Sequence, residues 1–242
     1  MPFLTLKIKN TTKKYTKNPL FGMIVFMGPV TKKRLSPLRE LLRSETPYID
    51  MQALGALLRD YKNPKAYVAK LVREGELIRL KGGFFLIREL VQKGGVPFEQ
   101  ISNLLYGPSY ISLEYALSLC GIIPEAVYTY TSITLGRNKQ FHTEVGTFRY
   151  HHLSRERYTV GVTHKENQWG GFFMATPEKA LADYIFQLCQ GMTQEELFVD
   201  LTESKRIELS SLRTLDKAMM QQIAKAYRSN IIKILADTII NL

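Results

Sequence analysis

Cysteine is almost absent from this sequence: Cys120 and Cys189 are the only two. Two lone thiols cannot frame a disulfide-stapled fold or a cysteine-ligated zinc site. Each falls in an apolar helical pattern, so both read as buried thiols in a reducing, cytoplasmic setting. Long hydrophobic runs are missing as well. Leu20 to Val30 is too short to span a bilayer. It follows a basic stretch from Lys7 to Lys17 and so imitates a signal peptide, but no A-x-A-like cleavage site comes after it, and Lys32-Lys33-Arg34 does. Residues 1–30 are expected to be a leader: a partly disordered segment, a strand packing on a partner subunit, or the product of an upstream start codon, since Met23 and Met27 lie inside the run. No membrane association is expected.

Catalytic signatures are equally scarce. No glycine loop of the phosphate-cradling kind is present, and Gly82-Gly83 sits between two β-prone runs. Ser112, Ser118 and Ser132 lie in no nucleophile-elbow pattern. The four histidines are His142, His151, His152 and His164. A metal wants histidines one helical turn apart, or two residues apart on a strand, with a carboxylate or thiolate beside them. His151 and His152 are adjacent and would point to opposite faces of a strand, so the histidines are expected to be solvated or hydrogen-bonded. Glu178 and Asp183 imitate an acid/base pair, yet Glu178 in a first helical turn more simply answers the helix dipole. No catalytic residue, metal or cofactor is expected, and the chain reads as a non-enzyme.

What is present in excess is positive charge, and it is unevenly placed. Residues 1–90 hold 18 Lys/Arg against 7 Asp/Glu, whereas residues 91–242 hold 15 of each. The whole net charge of +11 therefore resides in the N-terminal part. Such an asymmetry implies a polyanionic partner for that part, nucleic acid first and an acidic membrane surface second. The hydrophobic share of 45% over 242 residues is enough for two globular domains.

Helix signals follow one another closely in the basic part. Ser36-Pro37 has the N-cap and first-turn signature, with Leu38, Leu41 and Leu42 on one face and Thr46-Pro47 as a stop. Asp50 caps a second helix carrying Met51, Leu54, Leu57 and Leu58. After the turn at 60–62, Asn63-Pro64 opens a third, which buries Val68, Leu71 and Val72 and stops at Gly75. The runs Leu77 to Leu80 and Phe84 to Ile87 flank Gly82-Gly83 as a hairpin. Helices followed by a hairpin in this order predict a winged helix-turn-helix over 31–90.

A hinge is expected over Val91–Pro97, and a second, larger α+β domain over 97–242. The latter is read as helices at 98–105 and 113–119, an antiparallel meander, and C-terminal helices. The meander takes Val127 to Ile133, Phe141 to Thr143, Thr147 to His152, Tyr158 to Val162 and Gly171 to Met174. Thr176-Pro177-Glu178 caps a helix reaching Cys189, and the final helix 231–240 carries an apolar stripe of Ile231, Ile232, Leu235 and Ile239. That stripe must be covered by the domain's own core or by a second copy of the chain in a homodimer.

The third helix is the candidate reader of DNA. Its polar face presents Lys65, Ala66, Ala69, Lys70 and Arg73, two small residues that admit a close approach between cations suited to guanine edges or phosphates. Asn63 and Lys65 at its N-terminus suit a phosphate. Arg79 and Lys81 are the expected wing contacts, and Tyr67 fits either a phosphate contact or the core.

The segments Tyr110 to Leu117, Gly121 to Glu125, Tyr128 to Ser132, Phe141 to Tyr150 and Ala175 to Asp183, following a winged helix, resemble the AbiEi family antitoxins over residues 36–190. The resemblance implies the antitoxin of a type IV toxin–antitoxin pair, one that represses its own promoter on double-stranded DNA and opposes a nucleotidyltransferase-like toxin without a stable complex. Two other classes stay open on the residues alone. One is a nucleic-acid-processing enzyme with its site in the second domain, and the other is a plain transcription factor or adaptor without a toxin partner.

Overall fold

The computed structural model describes residues 7–8, 11–12, 37–43 and 46–242. The chain divides into two compact units, Met1–Glu40 and Leu41–Leu242. In the first, β1 (Lys7–Ile8) and β2 (Thr11–Thr12) form a short antiparallel ladder. The run Leu20–Val30 and the N-cap at Ser36 lie outside the described residues. Helix α1 (Pro37–Leu41) begins at the proline that the sequence places at its first turn.

The second unit starts with β3 (Tyr48–Asp50), α2 (Met51–Leu57), α3 (Pro64–Arg73), β4 (Leu77–Lys81) and β5 (Phe84–Ile87). Local chemistry explains each boundary. The Asp50 carboxylate accepts from Ala53 N at 2.7 Å and so starts α2. The Asn63 carbonyl oxygen does the same for Ala66 N at 3.1 Å, with Pro64 behind it. Helix α3 ends in a pair of reversed bonds, Gly75 N to Val72 O at 3.1 Å and Glu76 N to Leu71 O at 2.9 Å. This closure needs the left-handed backbone that Gly75 adopts at φ 77°. Strand β3 is an addition to the expected elements; it pairs with β5, giving the order β3-β5-β4.

The β4–β5 hairpin is buried on both faces. Leu77, Phe85 and Ile87 pack with Leu54, Leu58, Val68 and Leu71 beneath α2 and α3. Ile78, Leu80 and Leu86 belong instead to the large core built by the rest of the unit. Residues read as the end of the wing and the start of a hinge form a further helix, α4 (Arg88–Gly94).

Beyond it come α5 (Phe98–Leu105), β6 (Ser109–Ile111), α6 (Leu113–Leu119), β7 (Thr129–Thr134), β8 (Lys139–Thr143), β9 (Gly146–His152), α7 (Arg155–Tyr158), β10 (Val162–Asn167) and β11 (Gly170–Ala175). The chain closes with α8 (Pro177–Leu188), α9 (Gln194–Val199), a π-helical turn at Asp200–Ser204, α10 (Leu209–Arg213), α11 (Lys217–Tyr227) and α12 (Asn230–Ile240). The fold is α+β. Its six-stranded sheet runs β10-β11-β6-β7-β9-β8 and is mixed, which corrects the expected antiparallel meander. Strands β8 and β9 do form a hairpin, but β9 inserts beside β7 and runs parallel to it. Strand β6 lies between β7 and β11, antiparallel to the first and parallel to the second. All three β6 residues are buried, so the strand carries no alternation by which the sequence could announce it. Gly161, at φ 76°, delays the strand expected from Tyr158 until Val162.

One buried ion pair ties the sheet to the C-terminal helices. Lys179 and Asp183, a turn apart on α8, are both fully buried, with Nζ 3.2 Å from Oδ1. Asp183 accepts from Tyr110 OH at 3.0 Å, Ser112 Oγ at 2.6 Å and the Tyr227 hydroxyl. Lys179 donates to Tyr227 OH and to Arg157 O, both at 2.6 Å. Burial presses the Lys179 pKa down, opposed by the Asp183 charge. Tyr227 and Tyr110 are pushed up by burial and then by that carboxylate. Alongside, the apolar stripe Ile231, Ile232, Leu235 and Ile239 of α12 is buried in this same core.

The network predicts an asymmetric response to mutation. Lys179→Met leaves a buried carboxylate without its counter-charge and should cost about 3–5 kcal/mol in urea unfolding. The double variant Lys179→Met with Asp183→Leu should lose less than the single one. A single-variant loss below about 1 kcal/mol, in the range of an exposed pair, would show that the pair does not hold α8 in place.

Candidate nucleic-acid interface

Helix α3 presents two chemically distinct sides. Val68 and Leu71 are buried, and Val72 and Tyr67 pack against the same cluster. Lys65, Ala66, Ala69, Lys70 and Arg73 are all exposed and fall within one arc of the helix. The structure thus brings these five side chains together on one surface. Lys70 is shared with Glu74, 3.7 Å away and one turn on, in a half-exposed pair that contributes little to stability and yields readily to a stronger anion. Asn63, also exposed, spends its carbonyl oxygen on the helix N-cap. Tyr67 packs on Tyr61 in a tilted pair, ring centres 4.8 Å apart, and its pKa is raised by burial and then by the neighbouring Tyr61. It is part of the packing and does not stand free.

The two cations expected on the wing separate. Arg79 is exposed, its guanidinium 5.5 Å from the centre of the Phe85 ring, on the side of the sheet that faces α2 and α3. Lys81 is elsewhere. Its Nζ donates to Leu105 O at 2.8 Å and lies over the rings of Phe141 at 5.4 Å and Tyr106 at 5.8 Å. The cause is a bulge: Arg79 opposes Phe85 and Lys81 opposes Phe84, leaving Leu80 without a partner. The extra residue turns Lys81 to the face of Leu80, toward the large core, although alternation alone would set it beside Arg79. Lys81 thus ties the hairpin to α5 while remaining exposed.

Three further contacts tie α2–α3 and the hairpin to each other and to the larger sheet. Met51 N donates to Gly83 O at the hairpin tip at 2.7 Å. Arg88 joins Gly75 O, at the end of α3, to Glu144, in the β8–β9 turn, at 2.5 and 2.7 Å. Gly94 sits against Trp169, where a Cβ would lie 2.3 Å from the indole. Sequence reasoning treated Gly94 as a hinge residue and did not single out Arg88; nothing in the local pattern indicates either close approach.

The histidines do not converge. His142 lies within hydrogen-bonding reach of Gln140 at 2.8 Å and Thr147 at 3.2 Å, and His152 of Gly136 O at 2.8 Å. His151 has its pKa lowered by burial and then by Arg149. His164 lies 3.9 Å from Glu166. Glu178 accepts from Asp216 N at 2.8 Å, so it serves the start of α11 as well as its own helix. Among the described residues no group of three His, Cys, Asp or Glu side chains is arranged to hold a metal, and no helix is long and apolar enough to cross a membrane.

No protein-family model matches this chain, and no curated protein matches it. Among solved structures it is similar to the crystal structure of RV2827C protein from Mycobacterium tuberculosis, with a TM-score of 0.50 and 11% identity. The match covers 84% of this chain and 75% of that one. At that identity the likeness speaks for a shared α+β fold and for nothing finer.

Proposed function

We propose that the protein is a cytoplasmic, DNA-binding transcriptional repressor, with residues 31–90 acting as a winged helix-turn-helix and α3 as its reading helix. The observation that carries this reading is the exposed face of α3. It sets Lys65, Lys70 and Arg73 around Ala66 and Ala69, within the part of the chain that holds the entire positive surplus. Small residues let the helix backbone near the base edges, while the cations answer phosphates and guanine acceptors. Arg79, exposed on the hairpin, is the candidate wing contact. The resemblance to AbiEi antitoxins adds the physiological setting: repression of its own promoter and opposition to a nucleotidyltransferase-like toxin without a stable complex. Residues 91–242 carry no net charge and suit that second task better than a polyanion grip.

Binding of the full chain to its own promoter DNA should weaken linearly in log–log form as salt rises, with a slope of about −0.9 per neutralised phosphate. Anisotropy titrations across a salt series measure it. A flat response would remove the electrostatic basis of the proposal.

Reading and gripping should separate by residue. Arg73→Ala should cost about 1–3 kcal/mol of operator affinity and relax preference at one base position. Lys65→Ala should weaken all sequences alike, and Lys81→Ala should leave affinity within about twofold, below one hydrogen bond's worth. Unchanged operator binding in Arg73→Ala, with α3 still packed, would mean that α3 is not the reader.

The toxin-opposing role is tested with the toxin under a separate promoter, so that lost repression cannot mimic lost neutralisation. A full-length variant carrying Lys65→Ala, Lys70→Ala and Arg73→Ala should still rescue growth while failing to repress. If the intact protein does not rescue cells from the neighbouring toxin but still binds DNA, the antitoxin assignment fails and a plain repressor remains.

A further inference from the structure

Residues 91–242 carry no net charge, yet their cations are unevenly spread. From Lys217 to Ala236 the sequence holds four Lys/Arg and no Asp or Glu. This stretch folds as the antiparallel pair α11 and α12. Lys217 Nζ, at the start of α11, donates to Ile240 O, at the end of α12, at 2.9 Å. Between the two helices lies a groove of ≈ 570 Å³. Small-ligand sites typically fall between about 300 and 1,000 Å³.

The groove has two chemically different ends. Near the α11–α12 turn its lining holds Lys225, Arg228 and Lys233, all exposed. Lys225 and Arg228 share one face of α11, and Lys233 faces them from the start of the helix that folds back. Further along, Ala224 and Ala236 leave room between the helices, and Asp237 and Ile240 mark the far end. Lys233 to Ile240 spans about 10 Å of helix.

The three cations are uncommitted. Elsewhere in the unit Lys81, Arg88, Arg157 and Lys179 each donate to an acceptor. The side chains of Lys225, Arg228 and Lys233 make no hydrogen bond or ion pair among the described residues. Two carboxylates stand in their field. Asp237 is one turn beyond Lys233, and Glu156 on α7 is exposed, its pKa lowered first by hydrogen bonds and then by Arg157 and Arg228. Neither pairs with the three, which leaves the turn end of the groove positive. Ser229 adds a donor: its hydroxyl makes no cap bond to α12, whereas Thr176 and Asp216 cap α8 and α11.

We propose that this groove binds a small phosphorylated molecule, its phosphates taken by Lys225, Arg228, Lys233 and the Ser229 hydroxyl, its body lying over Ala224 and Ala236 and donating a hydrogen bond to Asp237. Cations converging from two helices answer the several oxygens and multiple charge of a phosphate. A nucleic-acid strand fits less well, because it needs a positive track along its backbone, and here the charge gives way to Asp237 and Ile240 within the groove. The site lies outside residues 31–90 and does not rest on the DNA-binding reading.

The probe is ADP, titrated calorimetrically into the full chain at low ionic strength, with adenosine and inorganic pyrophosphate as controls. Saturable one-to-one binding of ADP is expected, with no binding of adenosine and pyrophosphate about threefold weaker. The double variant Lys225→Gln with Lys233→Gln, both at exposed positions, should lower ADP affinity at least about tenfold with the melting temperature unchanged. Asp237→Ala should narrow the gap between ADP and pyrophosphate. The variant Lys65→Ala, Lys70→Ala and Arg73→Ala should bind ADP as the unsubstituted protein does, which separates this site from the α3 surface. Absence of saturable ADP binding, or full ADP affinity in the Lys225/Lys233 double variant, would overturn the proposal. So would equal affinity for ADP and pyrophosphate, which means an adventitious ion only. Weakened promoter binding in the double variant would make the groove a nucleic-acid contact and overturn it too.

Discussion

The β4–β5 hairpin is the constraint on which the remainder of this structure depends, because neither of its faces is free. One face completes the small cluster under α2 and α3, with Phe85 and Leu86 lying on opposite sides and both fully buried. A hairpin that only capped a helix pair would show water one side and would alternate apolar with polar residues. This one supplies apolar residues to two cores at once. The unit from Leu41 to Leu242 is accordingly continuous. The bulge at Leu80 follows from the same demand: it keeps Leu80 in the larger core and brings Lys81 to Leu105, so an exposed cation also ties the hairpin to α5.

The consequence for the proposed reader is geometric. Helix α3 is seated on Leu77, Phe85 and Ile87, and its end is fastened through Gly75 and Arg88 to the β8–β9 turn. Its exposed cations therefore project from a platform joined to the larger sheet by packing and by hydrogen bonds. Precision of this kind suits recognition by a few side chains, since an error of about an ångström in helix placement loses a bidentate contact. The Trp169 indole against Gly94 reinforces the platform where sequence reasoning expects a hinge. A glycine pair signals conformational freedom in a free chain; here Gly94 is required because a neighbour leaves no room for a Cβ.

Much of the local structure was legible because local chemistry dictates it. Asp50, Asn63-Pro64, Gly75 and Thr176-Pro177 each announce a helix end, and each serves as one. The exposed face of α3 was legible for the same reason: a 3.6-residue period with Val68 and Leu71 inside leaves Lys65, Lys70 and Arg73 outside. What escaped is what depends on distant residues. Strand β6 is buried throughout and only three residues long, so its type is set by β7 and β11 on either side. The insertion of β9 between β7 and β8 leaves no trace in the hairpin that precedes it. The face that Lys81 takes was not legible either, because a bulge is invisible to alternation.

Charge distribution and buried polarity together suggest how the chain divides its work. Every unit of net positive charge lies before residue 91, and among the described residues there Lys65, Lys70, Arg73 and Arg79 are exposed. The larger part has balanced charge and turns its chemistry inward. Lys179 and Asp183 are satisfied by Tyr110, Ser112, Tyr227 and Arg157, drawn from the central sheet and from three different helices or turns. A pair so buried adds little net stability compared with apolar residues of similar size, but it tolerates only one arrangement of the elements that serve it. Gln100 shows the contrast. Its amide nitrogen ties α5 to the β10–β11 hairpin as firmly as the Asp183 network ties α8 to the sheet, yet its oxygen is left over. Ser132 Oγ on β7 is likewise buried without a partner, so full matching is enforced where a charge is buried and relaxed where the leftover atom is neutral.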